Sequence, residues 1–137
     1  MLDDADAIAR ADSAGMLRQM ADLPAQLKAS LTSPIELGEA RVDNICICGL
    51  GGSAMGGDIL SDHLDRVAQV PSAVVRDVSL PRWVDDRTLT LLISYSGNTR
   101  ETIAMYNQAR QRNSLLVAIT SGGSLLQTCK ELSLIHI

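Results

Sequence analysis

A chain of 137 residues has the size of one domain and enough length to bury a core. Its 46% apolar and 20% charged residues are those of a soluble globular protein and exclude a disordered one. The net charge of −4, with one Trp, two Tyr and no Phe, excludes both the basic footprint of a nucleic-acid or anionic-membrane binder and the ring platforms that stack bases.

The opening, Met1-Leu2-Asp3-Asp4-Ala5-Asp6, is acidic and has no apolar stretch, so it does not read as a secretory signal. No run approaches the ~18 apolar residues of a membrane span. A cytoplasmic protein is expected. From Leu2 to about Ala21, Ile8, Ala11, Met16, Leu17 and Met20 recur at steps of three and four, which predicts an amphipathic helix weakened at Gly15. A second helix opens at Pro24, runs through Leu27 and Leu31, and stops at Ser33-Pro34. Residues 1–43 therefore form a helical lead-in.

After Asn44 the pattern changes. Short apolar runs at Ile45 to Gly49, Ala73 to Val75, Leu89 to Ser94 and Leu115 to Thr120 are nearly continuous, as in strands covered on both faces. Amphipathic stretches of helical length separate them, at Ala54 to Leu64 and Thr99 to Arg112, and another follows at Ser124 to Leu132. Alternating strands and helices define an α/β fold over residues 44–131: a three-layer parallel sheet with crossover helices. Leu80-Pro81-Arg82-Trp83 leaves too little room for a full crossover helix, so a turn of helix or an irregular crossover links the second strand to the third. Residues 132–137 read either as the opening of a fifth strand or as the translated end of a sequencing adapter.

Cys46 and Cys48 alternate with Ile45 and Ile47, which places both thiols on one face of the first strand. Neither their spacing nor the distant Cys129 fits a zinc knuckle or a disulfide framework. Buried free thiols in a reducing compartment are expected, with no metal. His63 falls on the first crossover helix with no partner in the pattern, which suits a surface or core residue better than a catalytic one.

Ligands of such folds bind outside the carboxyl ends of the strands. Three of the four strand ends are rich in Gly, Ser and Thr. The first, Gly49-Leu50-Gly51-Gly52-Ser53-Ala54-Met55-Gly56-Gly57, turns into a helix whose start offers unpaired N–H groups, with the Ser53 hydroxyl at the N-cap. It also satisfies G-x-G-x-x-A through Gly49, Gly51 and Ala54. That fingerprint alone leaves a dinucleotide site open, with Asp77 as its acidic partner, but it leaves the next loop unexplained. The second loop, Ser94-Tyr95-Ser96-Gly97-Asn98-Thr99-Arg100-Glu101-Thr102, puts three hydroxyls within six residues, and Gly97 permits a turn that aims successive amides inward. A cluster of hydroxyls without a neighbouring base is not an activated nucleophile. It is a neutral cradle for a dianion. Ser121, in Thr120-Ser121-Gly122-Gly123-Ser124, stands at the third strand end, equally suited to capping or to the ligand. Hydrogen bonds to a charged oxygen contribute about 1.5–3 kcal/mol each, so the loops suffice for phosphate without Lys or Arg.

These loops resemble the sugar isomerase (SIS) domain, and within it the bifunctional phosphoglucose/phosphomannose isomerases; the resemblance implies a flavodoxin-like, doubly wound sheet that these residues are expected to leave incomplete at the C-terminus. Gly49 through Asp58, Ser94 through Thr102, Ile119 through Gly123, Arg76-Asp77, Leu80 through Val84 and the lead-in segments Asp12 through Met16 and Leu23 through Leu27 carry the likeness. The resemblance implies that Gly52 and Ser53 contact substrate and that Ser94, Ser96 and Thr99 bind its phosphate, with Gly51, Gly97, Asn98 and Ser121 as possible secondary contacts. It also implies interconversion of glucose 6-phosphate and mannose 6-phosphate with fructose 6-phosphate through an enediol, with no metal or organic cofactor. The working unit it implies is two SIS domains per chain in a homodimer. The family's substrate-binding Arg, catalytic Glu, His and Lys have no counterpart in these residues, so the chain reads as a phosphate-binding fragment with no catalytic residue. The alternatives are a SIS module that senses a phosphosugar and an NAD(P)-binding Rossmann domain.

Overall fold

The computed structural model describes residues 4–31, 40–131 and 135–136. The predicted stop at Ser33-Pro34 lies outside the described residues, as do the start of the first predicted helix before Asp4 and the end of the last at Leu132. The chain falls into two compact units, residues 1–36 and 37–137.

The first unit carries α1 (Ala5–Ala11), α2 (Met16–Ala21) and α3 (Leu23–Ser30). The single helix expected up to Ala21 is thus two. The break comes from Asp12, whose carboxylate accepts hydrogen bonds from the amides of Met16 at 2.7 Å and Leu17 at 2.9 Å, while Gly15 takes φ 66°. A side chain that satisfies the first donors of a new helix competes with continuing the old one. Pro24 sits in the first turn of α3, where its missing N–H costs nothing.

The second unit is a parallel sheet of five strands: β1 (Asn44–Cys48), β2 (Ser72–Val75), β3 (Thr88–Ile93), β4 (Leu115–Ile119) and β5 (Ile135–His136), in the order β2-β1-β3-β4-β5. Between them run α4 (Gly51–Val67), α5 (Arg100–Gln111) and α6 (Gly123–Glu131). Period-two alternation sorts the side chains of β1 to opposite faces. Ile45 and Ile47 join Leu91 and Val117 beneath Leu60 and Leu64 of α4. Cys46 and Cys48 join Leu92, Leu116 and Ala118 beneath Met105, Tyr106 and Ala109 of α5 and Leu125 and Cys129 of α6. With helices on both faces, the expected three-layer architecture is present.

The order has a second consequence. From β1 the chain winds one way, through α4 to β2; from β3 it winds the other way, through α5 to β4. The connections diverge between the carboxyl ends of β1 and β3, which makes that edge the topological switch point. In a dinucleotide-binding sheet the third strand lies beyond the second. Here β3 pairs directly with β1, Cys46 opposite Thr90, and this disfavours the Rossmann alternative. No helix joins β2 to β3, as expected. The connection is instead fastened to α5, where the Gln108 amide donates to Val78 O at 2.7 Å and accepts from Leu80 N at 3.0 Å, and the Arg112 guanidinium donates to Pro81 O at 2.5 Å.

All three thiols are free and buried, as the strand pattern implied. The Cys46 and Cys48 sulfurs lie 3.6 Å apart. That contact and burial push the Cys48 thiol far above its ordinary value, and burial raises Cys129. The raised Cys48 and Cys129 contribute stability that is complete below the unfolded thiol's ordinary value near 9.0 and is lost as the pH rises beyond it; Cys46, lowered by the same contact, acts in the opposite sense but stands against two raised thiols. Stability is therefore expected to fall above about pH 9. At pH 8 none of the three thiols should react with a disulfide reagent until denaturant unfolds the chain, which a spectrophotometric thiol titration checks.

Candidate functional site

The strand ends of the switch point come together around a cavity of about 430 Å³ lined by Ser53, Ile93, Tyr95, Ile119, Thr120 and Ser121. Ser53 enters from the start of α4, Ile93 and Tyr95 from the end of β3, and the other three from the end of β4. Such a volume lies within the range of small-molecule sites.

Each loop reaches this edge in its own way. α4 begins at Gly51, with Leu50 as an N-cap that supplies no side-chain bond. Ser53 therefore occupies the first helical turn and not the N-cap position expected from the sequence. Its amide is bonded to Leu50 O at 3.1 Å, whereas the Gly51 and Gly52 amides meet no acceptor among the described residues. A Cβ added at Gly52 would meet nothing within 4 Å, so the backbone is open to a ligand there. In the second loop the Ser94 and Thr99 hydroxyls stand 3.1 Å apart, and Ser94 Oγ also accepts the Gly97 amide at 3.2 Å. Ser96 Oγ accepts the Asn98 amide at 3.3 Å. Thr99 is the N-cap of α5 without a capping side-chain bond, which leaves the amides of Arg100, Glu101 and Thr102 without acceptors among the described residues. Glu101 and Thr102 lie in the first turn, as expected.

The third loop is bound to the second. Ser121 donates from its amide at 3.2 Å and from its hydroxyl at 2.5 Å to Tyr95 O, so the hydroxyl proton is already committed. Thr120 Oγ1 donates to Gly122 O at 3.0 Å. Asn98 Oδ1 accepts from the Ser124 amide at 2.9 Å and its hydroxyl at 3.0 Å. The structure thus brings Ser94, Ser96, Gly97, Asn98 and Thr99 into one tight turn and sets Ser53 and Ser121 on the wall of the adjoining cavity. Sequence reasoning missed Tyr95 and Thr120 as wall residues. Their signal was position alone, since each neighbours a serine that had been singled out.

The chemistry this wall can perform is limited. It presents hydroxyls, an apolar floor and the starts of two helices, with no carboxylate, imidazole or amine among the described lining residues. His63 is exposed on α4. Asp77, the acid a ribose would need, accepts from the Val78 amide at 2.6 Å, while Arg76 pairs with Asp58. Among the described residues no group of three His, Cys, Asp or Glu is placed to hold a metal ion, and no helix is long and apolar enough to cross a membrane.

A doubly wound parallel sheet with hydroxyl- and glycine-rich loops gathered at its switch point defines a three-layer α/β domain with open helix starts at its ligand-binding edge. The chain belongs to the SIS domain family, whose model matches residues 40–134. It is 44% identical over 84 residues to a bifunctional phosphoglucose/phosphomannose isomerase of Caldicellulosiruptor bescii, covering 61% of this chain and 25% of that protein. It is 45% identical over 85 residues to the same enzyme of Thermoplasma volcanium, covering 62% and 27%. The chain therefore spans about a quarter of the length of these relatives. The tagatose-6-phosphate ketose/aldose isomerase of Escherichia coli shares the fold, with a TM-score of 0.56 at 23% identity over 83% of this chain and 34% of that one.

Proposed function

We propose that this chain supplies the phosphate-gripping part of a cytoplasmic aldose–ketose isomerase that interconverts glucose 6-phosphate and mannose 6-phosphate with fructose 6-phosphate. One observation carries the reading: the open N-termini of α4 and α5 and the paired hydroxyls of Ser94 and Thr99 meet at one edge of the sheet. Gly52, Ser53, Ser94, Ser96 and Thr99 hold the sugar phosphate, with Gly51 lending its open amide and Gly97 shaping the turn. Helix starts favour an anion, and neutral donors supply hydrogen bonds without attracting every polyanion in the cell.

Isomerisation by way of an enediol needs a base within about 3 Å of the proton it removes. The cavity wall offers none among its described residues, so the base belongs to other parts of a parent protein that pairs two such domains in a homodimer. Names of relatives at 40–45% identity support the substrate class. No metal or organic cofactor enters.

Titrating the ¹⁵N-labelled chain with fructose 6-phosphate tests the reading. Amide shifts concentrated at Gly51, Gly52, Gly97 and Arg100 are expected, with a dissociation constant between micromolar and millimolar, and none with fructose. No perturbation by any hexose 6-phosphate would refute it. Parallel titration with NAD should leave those amides unmoved.

A further inference from the structure

Three helices start at the carboxyl edge of the sheet, and their N-termini meet different fates. The Gly51 and Gly52 amides of α4 and the first-turn amides of α5 are open. Those of α6 are taken: Ser124 donates from both amide and hydroxyl to Asn98 Oδ1, at 2.9 and 3.0 Å, and Leu125 N donates to Gly97 O at 3.0 Å. Around these bonds the two backbones nearly touch. A Cβ on Gly97 would lie 1.8 Å from Gly122 O, and one on Gly123 would lie 2.3 Å from Ser96 O.

Resting on the phosphate reading above, we infer that Asn98 is a positioning residue whose Oδ1 fastens α6 to the phosphate loop. Its Oδ1 accepts two hydrogen bonds from Ser124. Phosphate oxygens are acceptors too, so that atom has nothing to offer them. What Asn98 holds is the turn. Its own amide donates to Ser96 Oγ at 3.3 Å, and its side chain ties the same residue to α6. The α6 terminus serves as the clasp, and the anion is left to α4 and α5. A preformed loop binds more tightly because less order is lost on binding. The sequence motif, in which Asn98 stands among the phosphate hydroxyls, suggested direct contact; the side chain's partners reassign it.

The experiment is a double-mutant cycle on the full chain, read by the dissociation constant for fructose 6-phosphate. Asn98→Ala should weaken binding about five- to tenfold, the scale of one lost capping interaction. Ser124→Pro removes both donors at a first-turn position that tolerates proline, and should weaken binding by a similar factor. The double variant should be no weaker than about twofold beyond either. Should Ser124→Pro fail to fold, Ser124→Ala, which lacks only the hydroxyl donor, replaces it with a smaller but equally non-additive effect. Hydrogen exchange in the free protein supplies the second readout: Asn98→Ala should deprotect the Leu125 amide, and Asn98→Asp, which keeps the acceptor, should restore protection. Additive losses, or Ser124 variants that bind like wild type while Asn98→Ala does not, would mean that Asn98 meets the phosphate directly and would overturn the inference. If wild type itself shows no binding, the phosphate reading fails. The exchange arm then still decides the clasp, because unchanged Leu125 protection in Asn98→Ala would overturn it.

Discussion

Gly97→Ala is expected to destabilise the α/β unit by about 3 kcal/mol and to abolish sugar-phosphate binding. Two costs combine. The residue sits at φ 63°, where an L side chain is strained by roughly 1–2 kcal/mol. Its new Cβ would also lie 1.8 Å from Gly122 O and 2.8 Å from Thr120 Oγ1. Neither atom belongs to a flexible side-chain end that could swing aside, so the third loop has to move bodily away from the second. That movement breaks the Leu125 to Gly97 bond and carries the bonded pair Ser94 and Gly97 out of register. Urea denaturation measures the first effect and fructose 6-phosphate titration the second. Gly56→Ala is the control. Gly56 is exposed inside α4, a Cβ there meets nothing within 4 Å, and Ala in a helix interior is more favourable than Gly by about 0.5–1 kcal/mol. Equal stability for the two variants would contradict the close contact of the loops.

What the sequence revealed about this fold depended on how local each signal was. The four runs of apolar residues from Ile45 to Thr120 predicted β1 to β4 within one or two residues, because a strand covered on both faces needs no partner to be recognised. The faces of Cys46 and Cys48 followed from period two alone. The strand order did not. Pairing β3 with β1 is a long-range choice, and the crossover chirality that favours it acts only in three dimensions. The break between α1 and α2 was hidden for a related reason. Apolar residues resume at Met16 just beyond Gly15, and the Asp12 carboxylate decides for a new helix.

The candidate site was legible as a set of loops and illegible as a network. Ser94 and Thr99 stand five positions apart, and a turn at a strand-to-helix junction brings them together whatever surrounds it. By contrast, Ser121 and Asn98 reach across to other loops, to Tyr95 and Ser124, each 26 residues away along the chain. No periodicity encodes such pairs. Both residues were singled out because of their company in sequence, which says nothing of the distant partners their hydrogen bonds reach.

The same neutrality that identifies the cradle sets the second large effect, removal of Ser94 and Thr99 together. Two hydrogen bonds to a charged oxygen at about 1.5–3 kcal/mol each correspond to a loss of at least a hundredfold in affinity for Ser94→Ala/Thr99→Ala. Part of the Ser94 effect acts through the loop, since its hydroxyl also satisfies the Gly97 amide at 3.2 Å. Loss of that acceptor in a buried turn is expected to cost about 1 kcal/mol of stability as well. Thr99→Ala alone should therefore lower affinity with little change in the denaturation midpoint, whereas Ser94→Ala should lower both. Because the described wall of the cavity carries no carboxylate, imidazole or amine, the pH dependence of binding near neutrality belongs to the ligand. Affinity should hold on the alkaline side and fall as the pH drops through about 6, where the dianion of a phosphate monoester takes up one proton and loses half its charge. It should also be less sensitive to added salt than a site built on Lys or Arg, whose long-range attraction is screened. A titration across pH at two salt concentrations distinguishes the two designs, and a steep salt dependence with no inflection near pH 6 would mean that a cation outside these loops holds the phosphate.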